Sequence, residues 1–321
     1  MSRDRQPTHA GAFALGTFAD AGGDIFAGLV VGDEVQRLDR STRHLLEDWD
    51  ESFHELERAA EQRSGAWIPL SELDVQPPIE PRQVLQSGAN YRKHVVDIIM
   101  SERSDYGGRT EEEVRAEAEE FMGARARQGT PYVFIGLASA MCGAYDDIVL
   151  PPTGNEHDWE LELAAIIGAP ARNVSADRAL QHVAAYTICN DLTTRDRVYR
   201  PDMKKIGTDW FAAKNSPTFT PTGPFLVPAQ YVGDPMDLRI TLRHNGQTMQ
   251  DESTKDMIFD IASLVSYASS VVELTPGDLL LTGSPAGNGA HWGVYLAPGD
   301  VMDSEITGLG YQRNTCVAAP D

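Results

Sequence analysis

The chain has 321 residues, 41% hydrophobic and 23% charged, ordinary proportions for a soluble globular protein and long enough to bury a sizeable core without cross-links. A net charge of −21 argues against nucleic acid or an anionic membrane surface as a partner, since both demand clustered Lys and Arg. Cys142, Cys189 and Cys316 are too scattered for a disulfide framework or a CxxC metal motif, and "MSRDRQPTHAGAF" carries no apolar leader, so a cytoplasmic location is expected.

Taken in chain order, residues 11–38 contain short apolar runs broken by glycine and acidic turns, with a hairpin expected at Gly32-Asp33. Residues 41–64 place Leu45, Trp49, Phe53 and Leu56 at helix spacing. The proline-rich "DVQPPIEPRQV" at 74–84 reads as a connection, so a small N-terminal domain, residues 1–80, is expected ahead of a larger one, residues 81–321. Residues 109–129 predict an amphipathic helix: Thr110 and Glu113 form a capping-box pattern, Val114, Ala118, Phe121 and Met122 make an apolar stripe, and Gly107, Gly108, Gly123 and Gly129 flank it. A plain surface helix and a mobile cover over a site both fit. From residue 132 the pattern turns to short strands, with a hairpin turn at Asn245-Gly246 and a helix over 256–272. The expected fold class is β-dominated α+β, its second domain a roll or barrel-like sandwich.

The stretch "NEHDWELEL" at 155–163 alternates Glu156, Asp158, Glu160 and Glu162 with His157, Trp159, Leu161 and Leu163. On an extended strand Glu160 and Glu162 share a face, about 7 Å apart at the Cα level, and can converge on one hard cation. A solvated acidic face is the plainer alternative. "TICNDLTTRD" runs from an apolar strand into Asp191, a candidate third ligand, because a carboxylate at a buried strand end is costly unless paired or metal-bound. Lys214 in "FAAKNSPTF" follows an aromatic-rich run, where an ammonium would stabilise an oxyanion. "LLLTGSPAGNG" at 279–289 ends a strand in a Gly-rich loop whose backbone N–H groups and Ser284 could hold an anion; it is neither a Walker loop nor a Rossmann fingerprint. In "NYRKHVVD", His94 and Asp97 share a helix face, so Asp97 could hydrogen-bond to the imidazole, orient it and raise its basicity.

The ordered set "GANYRKH", "DWELELAAIIG", "NDLTTRD", "WFAAKNSPTFTPTGPFLV", "LLTGSPAG" and "ITGLGYQRNT" resembles the fumarylacetoacetate hydrolase family over roughly residues 83–318. The resemblance implies a mixed β-roll catalytic domain, a homodimer, and a Mg²⁺, Mn²⁺ or Ca²⁺ ion on Glu160, Glu162 and Asp191. It assigns His94 and Asp97 as the lid dyad and Lys214 as the active-site lysine. It also places Tyr91, Arg195, Gly283 and Ser284 in segments expected to meet substrate. The implied reaction is hydrolysis of a C–C bond in an acylpyruvate-like or other β-dicarbonyl 2-oxo acid. A decarboxylase, a tautomerase or isomerase, a sugar-acid dehydratase, or a non-catalytic binding homologue would use the same scaffold. Four positions depart from the family pattern: Asp97 where Glu is frequent, Gly136 where lysine is common, Val198 where glutamine often stands, and Pro217 at an acidic position.

Overall fold

Across the Gly32-Asp33 turn, Val31 pairs with Glu34, and Gly32 takes φ +63°, a left-handed conformation that glycine enters without steric cost. This hairpin belongs to a five-stranded antiparallel sheet ordered Ile68–Pro69, Glu34–Arg37, Ile25–Val31, Ala14–Ala19, Asp74–Gln76. The computed structural model describes residues 8–102, 109–203, 205 and 207–320. The helical stretch after this hairpin is two helices, Thr42–Glu47 and Trp49–Gln62, joined at Asp48. Ser41 caps the first by accepting the His44 N–H at 3.3 Å. Leu45, Trp49, Phe53 and Leu56 are buried, as their spacing predicts.

The larger sheet has eight strands, seven of them in the order Val133–Gly136, Val84–Ser87, Leu279–Leu281, Leu161–Ile167, Val183–Asn190, Thr220–Thr222, Met141–Gly143. The eighth, Val227–Pro228, pairs beside Val183–Asn190. Parallel and antiparallel neighbours alternate irregularly, so the sheet is mixed. Its two central strands are buried on both faces, which explains their near-continuous apolar sequence. Ala164 and Ile166 pack in one core with Leu45, Leu46 and Phe53 of the N-terminal helices, while Leu163, Ala165 and Ile167 enter the other. A second five-stranded sheet, ordered Gln247–Ser253, Arg239–His244, Val301–Ile306, Tyr311–Ala318, Ile148–Leu150, packs beside it. Its first hairpin turns at Asn245 and Gly246, both at positive φ, as expected of an Asn-Gly pair.

Two helices, Arg92–Glu102 and Glu111–Gln128, pack together. Thr110 and Glu113 form the reciprocal capping box, at 3.2 and 2.9 Å. Val114, Ala118 and Met122 are buried, but Phe121, at the edge of the stripe, is 60% exposed. Gly123 lies inside the helix rather than flanking it, Gly129 caps its end, and Gly107 and Gly108 lie outside the described residues. The helix expected from 256 starts only at Ile261, because Asp260 accepts the Ser263 N–H at 2.7 Å and acts as its N-cap. Among the described residues no helix is long and apolar enough to cross a membrane.

Candidate metal centre and active site

Strands Leu161–Ile167 and Val183–Asn190 pair so that Glu162 faces Cys189 and Leu161 faces Asn190. Asp191 leaves the second strand one residue later, its N–H donating to the Glu160 carbonyl at 2.8 Å, while the Asn190 Oδ1 accepts from the Glu160 N–H at 2.8 Å. Strand register alone therefore gathers Glu160, Glu162 and Asp191, whose ligand oxygens lie within 4.8 Å of one another.

Like charges this close require compensation. Lys214 ends the short helix Trp210–Lys214, capped by Asp209. Its Nζ donates to Glu160 Oε2 at 2.7 Å, Asp191 Oδ2 at 2.6 Å and Thr193 Oγ1 at 2.7 Å. Arg195 donates through Nη2 to Glu160 Oε1 at 2.6 Å and through Nε to Asp158 Oδ2 at 2.7 Å. Asp158, fully buried, also accepts the backbone N–H groups of Gly289 and, at 3.1 Å, Ala290. Gly283 donates its N–H to Glu162 Oε2 at 2.6 Å. It holds φ +93°, and a Cβ there would stand 2.8 Å from Asn90 Cβ, so this approach requires glycine.

The fields of these groups separate the three carboxyls. Burial works to raise Glu160, but Arg195, then Lys214 and His94, outweigh it and hold the group at about 2. Burial, reinforced by Asp191 and Glu160, pushes Glu162 well above the carboxylate range. Burial raises Asp191 to about 6 against the opposing pull of Lys214. Burial works to lower Lys214, yet Asp191 and Glu160 more than offset it, so the ammonium stays charged. Four carboxylates, Asp158, Glu160, Glu162 and Asp191, thus face two cationic side chains. Once a cation displaces the protons that Glu162 and Asp191 hold, two negative charges are left over on hard oxygen donors, the complement of a divalent cation such as Mg²⁺ or Mn²⁺.

His94 and Asp97 lie on the helix Arg92–Glu102, three residues apart as expected. Their contacts differ from the expectation. Asp97 turns its oxygens to Arg115 Nη1 at 3.5 Å and His291 Nδ1 at 3.6 Å, and among the described hydrogen bonds none joins it to His94. The reason is tertiary: Arg115 on the neighbouring helix and His291 on the short helix Gly289–Trp292 that follows the Gly-rich loop both reach this carboxylate. Burial lowers His94 to about 4, with Glu160 and, more weakly, Asp97 opposing it, so the imidazole is neutral at pH 7.

The expected substrate contacts are placed variously. Tyr91 is wholly buried. Arg195 and the Gly283 N–H are committed to the carboxylates of the cluster, the loop's anion being Glu162 itself. Ser284 Oγ accepts from Gln250 Nε2 at 3.0 Å. Phe134 and Trp210 stack with centroids 5.0 Å apart, each 5.7 Å from Lys214 Nζ, and form an aromatic wall beside the cluster. Val198 is buried, and Gly136 ends the edge strand.

Three contributors carry no expected role in the sequence. Asp158 shares strand parity with Glu160 and Glu162, a signal that could have marked it. Gln250 accepts the Leu161 N–H at 3.3 Å and so ties the Glu160–Glu162 segment to the Ser284 loop. Gln86 Nε2 donates to Asp191 Oδ1 at 2.6 Å. Neither amide carries a local sequence pattern that distinguishes it.

Comparison with known proteins shows what the chain as a whole is similar to. Over 186 residues the chain is 44% identical to the 2,4-didehydro-3-deoxy-L-rhamnonate hydrolase of Sphingomonas sp. (strain SKA58), covering 57% of this chain and 64% of that protein. It is 41% identical over 189 residues to a mitochondrial oxaloacetate tautomerase of Bos taurus, covering 58% and 59%. The chain thus spans somewhat less than two thirds of the length of these relatives. Maleylpyruvate hydrolase from Sphingobium sp. SYK-6, solved with manganese (II) ion and pyruvate, superposes with a TM-score of 0.72 at 26% identity, covering 96% of this chain and 100% of that one. The model of the fumarylacetoacetate (FAA) hydrolase C-terminal region matches residues 83–317, and the chain belongs to the fumarylacetoacetate hydrolase family.

Proposed function

We propose that the chain is a divalent-metal-dependent hydrolase that cleaves a C–C bond in an acylpyruvate-like or other β-dicarbonyl acid. The observation that carries this reading is the buried carboxylate cluster, whose uncompensated charge when fully ionised matches one divalent ion, set beside a buried neutral histidine. A bound Mg²⁺ or Mn²⁺ on Glu160, Glu162 and Asp191 supplies Lewis-acid polarisation of a carbonyl and a template for adjacent oxygens of a 2-oxo acid. His94, neutral at pH 7, takes a proton from water as it attacks the carbonyl; the field of Asp97 supports this. The C–C bond breaks, the water oxygen stays with the released acid, and the electron pair leaves as an enolate that is then protonated. Lys214 sets a fixed positive charge beside that developing anion. In this reading the small N-terminal domain is residues 1–80, its helices Thr42–Glu47 and Trp49–Gln62 sharing a core with the large sheet. A homodimer forms through the edge strand Val133–Gly136 and its surroundings, where Ile135 and Phe211 are 70% and 75% exposed.

One observation favours a second reading. His94 has no hydrogen bond to Asp97, and a lone base suffices to move a proton between carbon and oxygen, the step of a tautomerase. Turnover of an acylpyruvate panel by metal-stripped protein, with and without Mn²⁺, separates the two. Metal-dependent release of pyruvate and free acid is expected. Accelerated keto–enol exchange of oxaloacetate with no cleavage would transfer the assignment to the tautomerase.

A further inference from the structure

Gln86 lies on the short strand Val84–Ser87, with every residue of that strand buried. Its Nε2 donates to Asp191 Oδ1 at 2.6 Å, across 105 positions of sequence. The amide orientation is dictated by chemistry, because reversing it would press Oε1 against a carboxylate oxygen. The remaining end of the amide, Oε1, is buried without a hydrogen-bond partner. A fully buried amide is thus left half-satisfied while its donor end reaches one carboxylate, an arrangement that core packing alone would not retain.

What makes room for it is Gly136. The neighbouring strand Val133–Gly136 pairs Val84 with Gly136 and Gln86 with Phe134. A Cβ on Gly136 would stand 2.7 Å from Gln86 Oε1 and 2.8 Å from its Cδ, closer than real Cβ contacts come. The backbone at Gly136 does not require glycine for its φ, so the residue serves to clear this space.

We propose that Gln86 is a positioning residue for Asp191 and that Gly136 exists to admit it. With Oδ1 held by Gln86 and Oδ2 by Lys214, the carboxylate cannot rotate away from Glu160, to which Lys214 also binds. A neutral amide does this without adding positive charge that would compete with a cation. The inference rests on the metal reading above, in which Asp191 is a ligand.

The test is Mn²⁺ titration of the metal-stripped full chain by electron paramagnetic resonance, with thermal melts in parallel. Gln86→Ala is expected to weaken Mn²⁺ binding by about 10–100-fold, the usual consequence of losing a hydrogen bond to a ligand. Gly136→Ala should weaken it comparably, and adding Gly136→Ala to Gln86→Ala should cost nothing more, because the side chain it displaces is already gone. Binding by Gln86→Ala within twofold of wild type, or additive losses in the double variant, overturns the positioning role while leaving the metal reading intact. A wild-type chain that binds no Mn²⁺ overturns both. If Gly136→Ala does not fold, Gln86→Ala still decides, since it clears space rather than fills it.

Discussion

Two stretches of this chain are equally crowded with carboxylates and meet opposite fates. On the helix Glu111–Gln128, Glu111, Glu112, Glu113, Glu117, Glu119 and Glu120 all face solvent, Glu111 and Glu117 beside arginines and Glu113 accepting a capping N–H. In the extended segment 158–162, Asp158, Glu160 and Glu162 are buried, and each is matched by a donor fixed from elsewhere in the fold. Acidic density is therefore not what marks the site. Water solvates the helical charges at little cost, whereas a carboxylate withdrawn from water survives only where partners repay its lost hydration.

Neutralising one carboxylate in each region gives the widest contrast. Glu162→Gln, nearly isosteric, removes a ligand and should reduce Mn²⁺ affinity by more than about 100-fold, beyond the effect of losing a supporting hydrogen bond. The same substitution should hold or raise the melting temperature of the metal-free protein at pH 7, because ionising Glu162 there opposes burial and two neighbouring charges. Glu119→Gln on the helix should change neither quantity. A loss of metal-free stability in Glu162→Gln would show that the ionised carboxylate is repaid by the protein alone.

The pH dependence sharpens the comparison at the next level. Asp191 is raised from 3.8 to about 6 and Glu162 is raised further above its ordinary value. For such groups the folded state binds more protons, so their contribution to stability is present below about pH 4 and is lost as pH rises, through about 6 for Asp191. Glu160, lowered to about 2, has the opposite sign: its contribution is lost as pH falls from about 4.5 to 2. Metal binding must displace the protons on Asp191 and Glu162, so Mn²⁺ affinity should fall about tenfold per proton per pH unit below pH 6. Melting curves at pH 4 to 8 with and without Mn²⁺ check both statements; a pH-independent affinity would mean that all three carboxyls are already ionised.

The smallest expected effect lies on the exposed helix. Thr110→Ala removes half of its capping box and should cost about 1 kcal/mol by chemical denaturation while leaving Mn²⁺ affinity unchanged. A parallel drop in metal affinity would instead tie the ordering of this helix to the site beneath it.

Much of the centre was readable in one dimension because its geometry is local. The two-residue period puts Glu160 and Glu162 on one face, the Asn190-Asp191 step ends an apolar strand, and the Thr110–Glu113 pattern and the Asn245-Gly246 turn carry their conformations within a few residues. His94 and Asp97 fall on one helix for the same reason. What the pair touches was not readable, since Arg115 and His291 arrive from separate elements and draw Asp97 away.

By itself, then, the sequence determined the strand periodicity, the turns and caps, and the three carboxylates, since each follows from side-chain period or backbone preference within a short window. Only the tertiary structure decided how those carboxylates are held. Gln86, Gln250, Arg195 and the Gly283 N–H reach their partners across 105, 89, 35 and 121 positions. No local preference encodes such contacts; they exist because strands distant in sequence become neighbours in one mixed sheet, where every buried polar group must find its partner or remain unpaid.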